Sequence, residues 1–104
     1  GEDWSGLDVE KRTGWHRKLH IFQEPLYYIE YGLAQLGAVQ IWINAKQDRS
    51  GAVQSYRRAL ALGGTKGLPD LFAAAGAELR WDSEGLRRAV EAVEAESERL
   101  RGSP

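Results

Sequence analysis

The chain has 104 residues, with 14 Lys plus Arg against 15 Asp plus Glu, a formal net charge of -1, and neither cysteine nor methionine. A chain this long makes one domain at most and buries roughly two thirds of the surface its unfolded form exposes. Near-neutrality argues against nucleic acid, the lack of cysteine removes disulfides and thiolate metal sites, and no run of about 18 apolar residues suggests a membrane span.

Apolar residues recur at helical spacing almost throughout, and no stretch alternates for long as a half-buried strand does. The pattern predicts an all-α fold of about five helices forming a single helical unit over residues 1–104. The first helix is predicted from about Leu7 to Leu19 or slightly beyond, with Gly14 a weak point inside it. Glu24-Pro25 marks a boundary, because proline suits the first turn of a helix and disfavours helical geometry in the residue before it.

The second helix, from about Pro25 to Lys46, is the long one. It is apolar nearly all round, through Leu26, Ile29, Leu33, Leu36, Val39, Ile41 and Trp42, a composition that belongs at the centre of a bundle. A carboxylate within it, Glu30, needs a partner such as an arginine or a tyrosine hydroxyl. Asp48 or Ser50 then caps a third helix through about Leu62, which Gly63-Gly64 ends.

The connector GGTKG lacks the Walker spacing and follows a helix, so it is no phosphate loop. It leads into a short fourth helix with Pro69 in the first turn and Gly76 as its stop. Asp82 or Ser83 opens a final amphipathic helix to about Arg101, with Leu86, Val90, Val93 and Leu100 on one stripe. The tail Gly102-Ser103-Pro104 is expected to fray. The missing methionine suggests a processed product or an excised fragment, with initiator removal ahead of Gly1 as the plain alternative.

The chemistry concentrates in HRKLHIFQEPLYYIEY, His16 to Tyr31. His16 and His20 are four apart, the spacing that places two zinc ligands on one helical face. Yet Arg17 follows the first histidine where a His-Glu-x-x-His motif has its glutamate, and no third ligand is evident. Two unlinked histidines fit better than a metal site. Tyr28 and Tyr31 are three apart and project from one face of the second helix, with Tyr27 turned aside. Phenols with ordinary pKa values near 10 are donors at neutral pH, and a pair aimed at one point stabilises an oxyanion. The same spacing also suits aromatic core packing with hydroxyls satisfied by neighbours.

The run WHRKLHIFQEPLYYIEYGLAQLGAVQIW resembles the C-terminal catalytic-domain segment of the oligoendopeptidase F and thimet oligopeptidase family of zinc metallopeptidases, nearest to its bacterial Pz-peptidase-like members. DRSGAVQSYRRALALGGTKGLPDLFAAAG is similar to the helices and Gly-rich turn that close that domain, so the resemblance covers about Trp15 to Leu100. It implies a mostly helical, two-lobed body and a zinc-dependent enzyme that hydrolyses internal bonds of short peptides. It further implies that His20, Tyr28 and Tyr31 contact the substrate backbone and stabilise the tetrahedral intermediate, and that Tyr27 binds substrate. His16 inherits no role, and Leu26 stands where phenylalanine is common.

The family's zinc ligands are absent from this chain, so zinc belongs to the intact enzyme and none is expected here. The partners implied are short peptides and the remainder of the catalytic domain. Alone, the chain is expected to be inactive and to self-associate through the apolar surface of its second helix. Two other readings use the same residues. One is an autonomous helical interaction module with an aromatic groove, and the other is a small enzyme or metal carrier built on His16 and His20.

Overall fold

The computed structural model describes residues 3–102, so the expected fraying at Ser103 and Pro104 lies outside the described residues. The fold is all-α. Helices α1 (Asp8–Thr13), α2 (His20–Gln23), α3 (Ile29–Gln47), α4 (Arg49–Leu62), α5 (Leu68–Ala74) and α6 (Ser83–Arg101) follow one another, with a 3₁₀ turn at Gly14–Arg17. The described residues include no strand. Two compact units divide the chain, Gly1–Tyr31 and Gly32–Pro104.

In the first unit the single helix expected from Leu7 to Leu19 is broken. α1 stops at Thr13, whose Oγ1 donates back to the Val9 carbonyl at 2.7 Å, and Gly14 follows. Threonine then glycine is a poor place to continue a helix, the first for its competing hydroxyl and the second for its backbone entropy. The chain tightens into the 3₁₀ turn, and the Lys18 N–H bonds to the Trp15 carbonyl at 3.0 Å. Trp15 stacks on Phe22 with ring centroids 5.6 Å apart, whereas seven residues of straight helix rise roughly 10.5 Å. Aromatic contact therefore compensates for the lost helical turn.

The second boundary moves as well. Glu24 to Tyr27 forms a β-turn, bonded from the Tyr27 N–H to the Glu24 carbonyl at 3.1 Å, with Pro25 and Leu26 as its central residues. Leu26 has φ 69°, the left-handed value a type II turn requires there and glycine usually supplies. Its side chain is 91% exposed, so no packing offsets that conformation. α3 begins only at Ile29, not at Pro25.

In the second unit, α3 is enclosed less than a central helix would be. Gly37 is its buried residue among those described, and Leu36, Val39, Ile41, Trp42 and Ile43 are half-buried. Gly37 marks a close approach: a Cβ built there would stand 2.8 Å from Cε1 of Phe72 in α5. The buried apolar residues among those described are four alanines, Ala52, Ala75, Ala77 and Ala89. Small side chains bring the helices close but contribute little apolar area each.

Local chemistry sets the helix ends here. Asp48 accepts the Gly51 N–H at 3.0 Å and Asp82 accepts the Gly85 N–H at 2.8 Å, each satisfying an orphan donor of the first turn. Arg80 Nη2 donates to the other Asp82 oxygen at 2.7 Å, which holds that carboxyl below its usual range. Beyond α5, Gly76 has φ 79°, its N–H bonds to the Ala73 carbonyl at 3.0 Å, and the Ala77 N–H reaches the Phe72 carbonyl at 2.9 Å. These two bonds and the left-handed glycine make a Schellman motif. Side chains of α3 hold the segment that follows. Gln40 donates to the Glu78 carbonyl and accepts its N–H, both at 2.9 Å, and Asn44 donates to the Gly76 carbonyl at 2.7 Å.

On α6 the packed side is not the apolar stripe. Gly85, Ala89, Ala92, Glu96 and Ser97 are its less exposed residues, while Leu86, Val90, Val93 and Leu100 are exposed. Gly85, Ala89, Ala92 and Glu96 are offset from that stripe by one position, about 100° of rotation, and Ser97 lies on the stripe itself. Ala89 is the buried residue of that side, and an ion pair between Lys46 of α3 and Glu96 ties the same side to α3. Among the described residues no helix is long and apolar enough to cross a membrane.

Candidate functional site

The residues singled out between His16 and Tyr31 all lie in the first unit, and its breaks decide where each one stands. His20 opens α2, Tyr27 and Tyr28 sit in the turn segment before α3, and Tyr31 occupies the first turn of α3. A helix starting at Pro25 is therefore not what presents Tyr28 beside Tyr31; the Pro25-Leu26 turn does so.

The four rings form one cluster. From the His20 ring the centroids of Tyr31, Tyr28 and Tyr27 lie at 5.6, 6.0 and 6.4 Å. Tyr31 is 5.7 Å from Tyr28 and 5.8 Å from Tyr27, which it meets edge-on at 86°. Tyr27 is thus a member of the cluster and not turned aside from it. All three tyrosines are exposed, so their rings pack on one another at the surface and the core-packing alternative does not describe them. Aromatic pairs at these separations contribute about 0.5–1.5 kcal/mol beyond area burial.

Neighbouring groups act on one phenol of the cluster. The Tyr27 phenol is pushed above its ordinary value of 10, first by the neighbouring Tyr31 and then by the Glu30 carboxylate. It remains a donor throughout the neutral range. Glu30 itself is exposed and makes no ion pair or side-chain hydrogen bond among the described residues. The partner was expected on the premise that Glu30 is buried, and its exposure removes that requirement.

His20, Tyr28 and Tyr31 line an open concavity of about 480 Å³ together with Arg17, Lys18 and Leu19. Lys18 Nζ lies 6.0 Å from the centroid of the Tyr28 ring, at the outer range of a cation–π contact. An imidazole and two phenols around one cavity can donate to a carbonyl oxygen or to the oxyanion that forms from it. Water fills such an open site. Exclusion of water by further protein would strengthen each of those hydrogen bonds.

His16 stands apart from this group. It lies in the 3₁₀ turn, 4.1 Å from the Trp15 ring and 6.4 Å from Phe22, so the shared helical face assumed for His16 and His20 does not exist. Among the described residues no group of three or more His, Cys, Asp or Glu side chains forms a possible metal site.

The chain matches no family model, no curated protein and no solved structure. In the second unit, an apolar concavity of about 370 Å³ lies among Gly37, Ile41, Tyr56, Leu60 and Phe72 of α3, α4 and α5, without a charged side chain on its wall. Its wall carries one side-chain hydroxyl, that of Tyr56. The residues that sequence reasoning passed over are Arg17 and Lys18, whose place on the cavity wall was signalled only by their adjacency to His20.

Proposed function

We propose that this chain is the C-terminal segment of the catalytic domain of a zinc-dependent oligoendopeptidase, and that it supplies the donors that receive charge during peptide-bond hydrolysis. The observation that carries the reading is the convergence of His20, Tyr28 and Tyr31 on one cavity, within a motif that resembles that family. His20 and the two phenols hold the backbone of a short peptide and donate to its carbonyl oxygen as negative charge develops there. Tyr27, packed edge-on against Tyr31, contacts the substrate and buttresses that ring.

Zinc in the intact enzyme would supply the Lewis acid and the activated water, through ligands outside this chain. The chain by itself is proposed to be inactive, with a cytoplasmic site of action consistent with its lack of cysteine. Exposed apolar residues on α4 and α6, Val53, Leu60, Leu86 and Val90, suit contact with the remainder of such a domain or with another copy. The same exposure supports a second reading, an autonomous helical module that binds protein partners.

The test is to read the source frame upstream of Gly1, express the longer product and assay internal cleavage of short, end-blocked peptides. A His-Glu-x-x-His helix and chelator-sensitive cleavage are expected. A frame lacking that motif, or a product without peptidase activity, would leave the interaction module as the better account.

A further inference from the structure

The cavity of the His/Tyr cluster has a cationic wall that the proposed oxyanion role does not use. Arg17 ends the 3₁₀ turn and Lys18 follows it, and both line the cavity with His20, Tyr28 and Tyr31. Neither cation is ion-paired among the described residues, so both are open to an anion from outside the chain. The acids Glu24 and Glu30 belong to the same unit but do not line the cavity. Two adjacent positive charges thus line a space that already offers hydrogen-bond donors.

We propose that Arg17 and Lys18 form a carboxylate-binding lip, which seats a free carboxylate of a short peptide whose backbone meets His20, Tyr28 and Tyr31. The inference rests on the peptide-binding reading above and deepens it by naming the substrate class. A guanidinium presents a planar fork that matches a carboxylate with two parallel N–H bonds, and the ammonium adds a mobile point charge. The carboxylate has two possible sources, a peptide C-terminus and an Asp or Glu side chain. A lip beside the backbone donors favours peptides that end, or carry an acid, within a few residues of the contacted carbonyl.

The experiment titrates the 104-residue chain with three probes and follows the His20 and Tyr28 ring protons by NMR. They are N-acetyl-tetra-alanine as the free acid, the same peptide as its amide, and an amide-ended N-acetyl-Ala-Ala-Asp-Ala. Two exposed ion pairs make the free acid about three- to twentyfold tighter than its amide, with the advantage shrinking as salt is raised. The double variant Arg17→Gln/Lys18→Gln, checked for unchanged helicity by circular dichroism, is expected to bind acid and amide alike.

Tight binding of the aspartyl probe as well as the free acid identifies any nearby carboxylate as the ligand; weak binding of it identifies the C-terminus. Equal affinity for all three probes, with Tyr28→Phe still weakening them, overturns the carboxylate lip and leaves the peptide-binding reading intact. Absence of binding by any probe overturns both.

Discussion

Leu26 has the backbone of a glycine position, φ 69°, while its side chain stands in solvent. For an L-residue that conformation costs roughly 1–2 kcal/mol, part of which glycine returns through its larger unfolded-state entropy. Leu26→Gly is therefore expected to slow exchange of the Tyr27 amide, which bonds to Glu24 across the turn, by about two- to fivefold. Faster exchange would show that the turn is held by something other than its backbone preference. Gly37 is the opposite case, a glycine required by space. Gly37→Ala drives a Cβ into the Phe72 ring and should destabilise by about 1 kcal/mol or more in urea unfolding, since overpacking outweighs the gain in helix propensity. Adding Phe72→Leu should recover part of that loss, a coupling that independent effects would not give. Neither site could be read from the sequence, because each depends on geometry that residue type alone does not fix. Leu26 follows proline as any linker residue might, and Gly37 is one of many small residues in α3.

Among the elements, α4, α5 and α6 were legible almost to the residue, since their ends are written in local chemistry. Asp48 and Asp82 cap the first turns, Pro69 sits where its missing N–H costs nothing, and Gly76 supplies the left-handed stop. Asp48→Ala should cost about 1 kcal/mol, measured as a lower urea midpoint with an unchanged slope; no change would mean that water replaces the cap without loss. The stretch from Gly14 to Tyr28 was not legible, because a distant ring contact, Trp15 on Phe22, and a strained turn override the helical periodicity. The less exposed side of α6 escaped for a related reason: periodicity finds an apolar stripe, whereas that side carries the small Ala89 and the ion-paired Glu96. Glu96 accepts from Arg99 first and from Lys46 second, and these bonds lower its pKa from 4.5 to about 2. The folded value lies below the unfolded one, so this contribution is fully present above pH about 4.5 and is lost as pH falls toward 2. Glu96→Gln should lower stability near neutrality and flatten its decline over that window. Parallel acid profiles for the two proteins would remove the ion-paired carboxylate as a source of acid sensitivity.

At the scale of the whole molecule, the fully buried apolar side chains among the described residues are small, and larger ones are half-buried or exposed. Buried alanines coexist with exposed Val53, Leu60, Leu68, Leu86 and Val90. Such a surface is proposed to be covered, either by the rest of a catalytic domain or by a second copy. Sedimentation of the isolated chain should show association that increases with concentration, and a monomer at every concentration would contradict this. The all-α class was legible at this scale from periodicity alone. The division into two units was not, because its boundary at Tyr31 falls inside the continuous helix α3.

The central claim, that phenols and an imidazole gathered by one turn receive charge from a peptide carbonyl, is tested most directly by turnover. In the longer reading-frame product, kcat and KM for an end-blocked peptide are measured with Tyr28→Phe and Tyr31→Phe. Loss of a transition-state donor should lower kcat by about a hundred- to a thousandfold for each variant with KM little changed. Unchanged kcat, or a loss confined to KM, would contradict the assignment and leave the cluster a binding surface only.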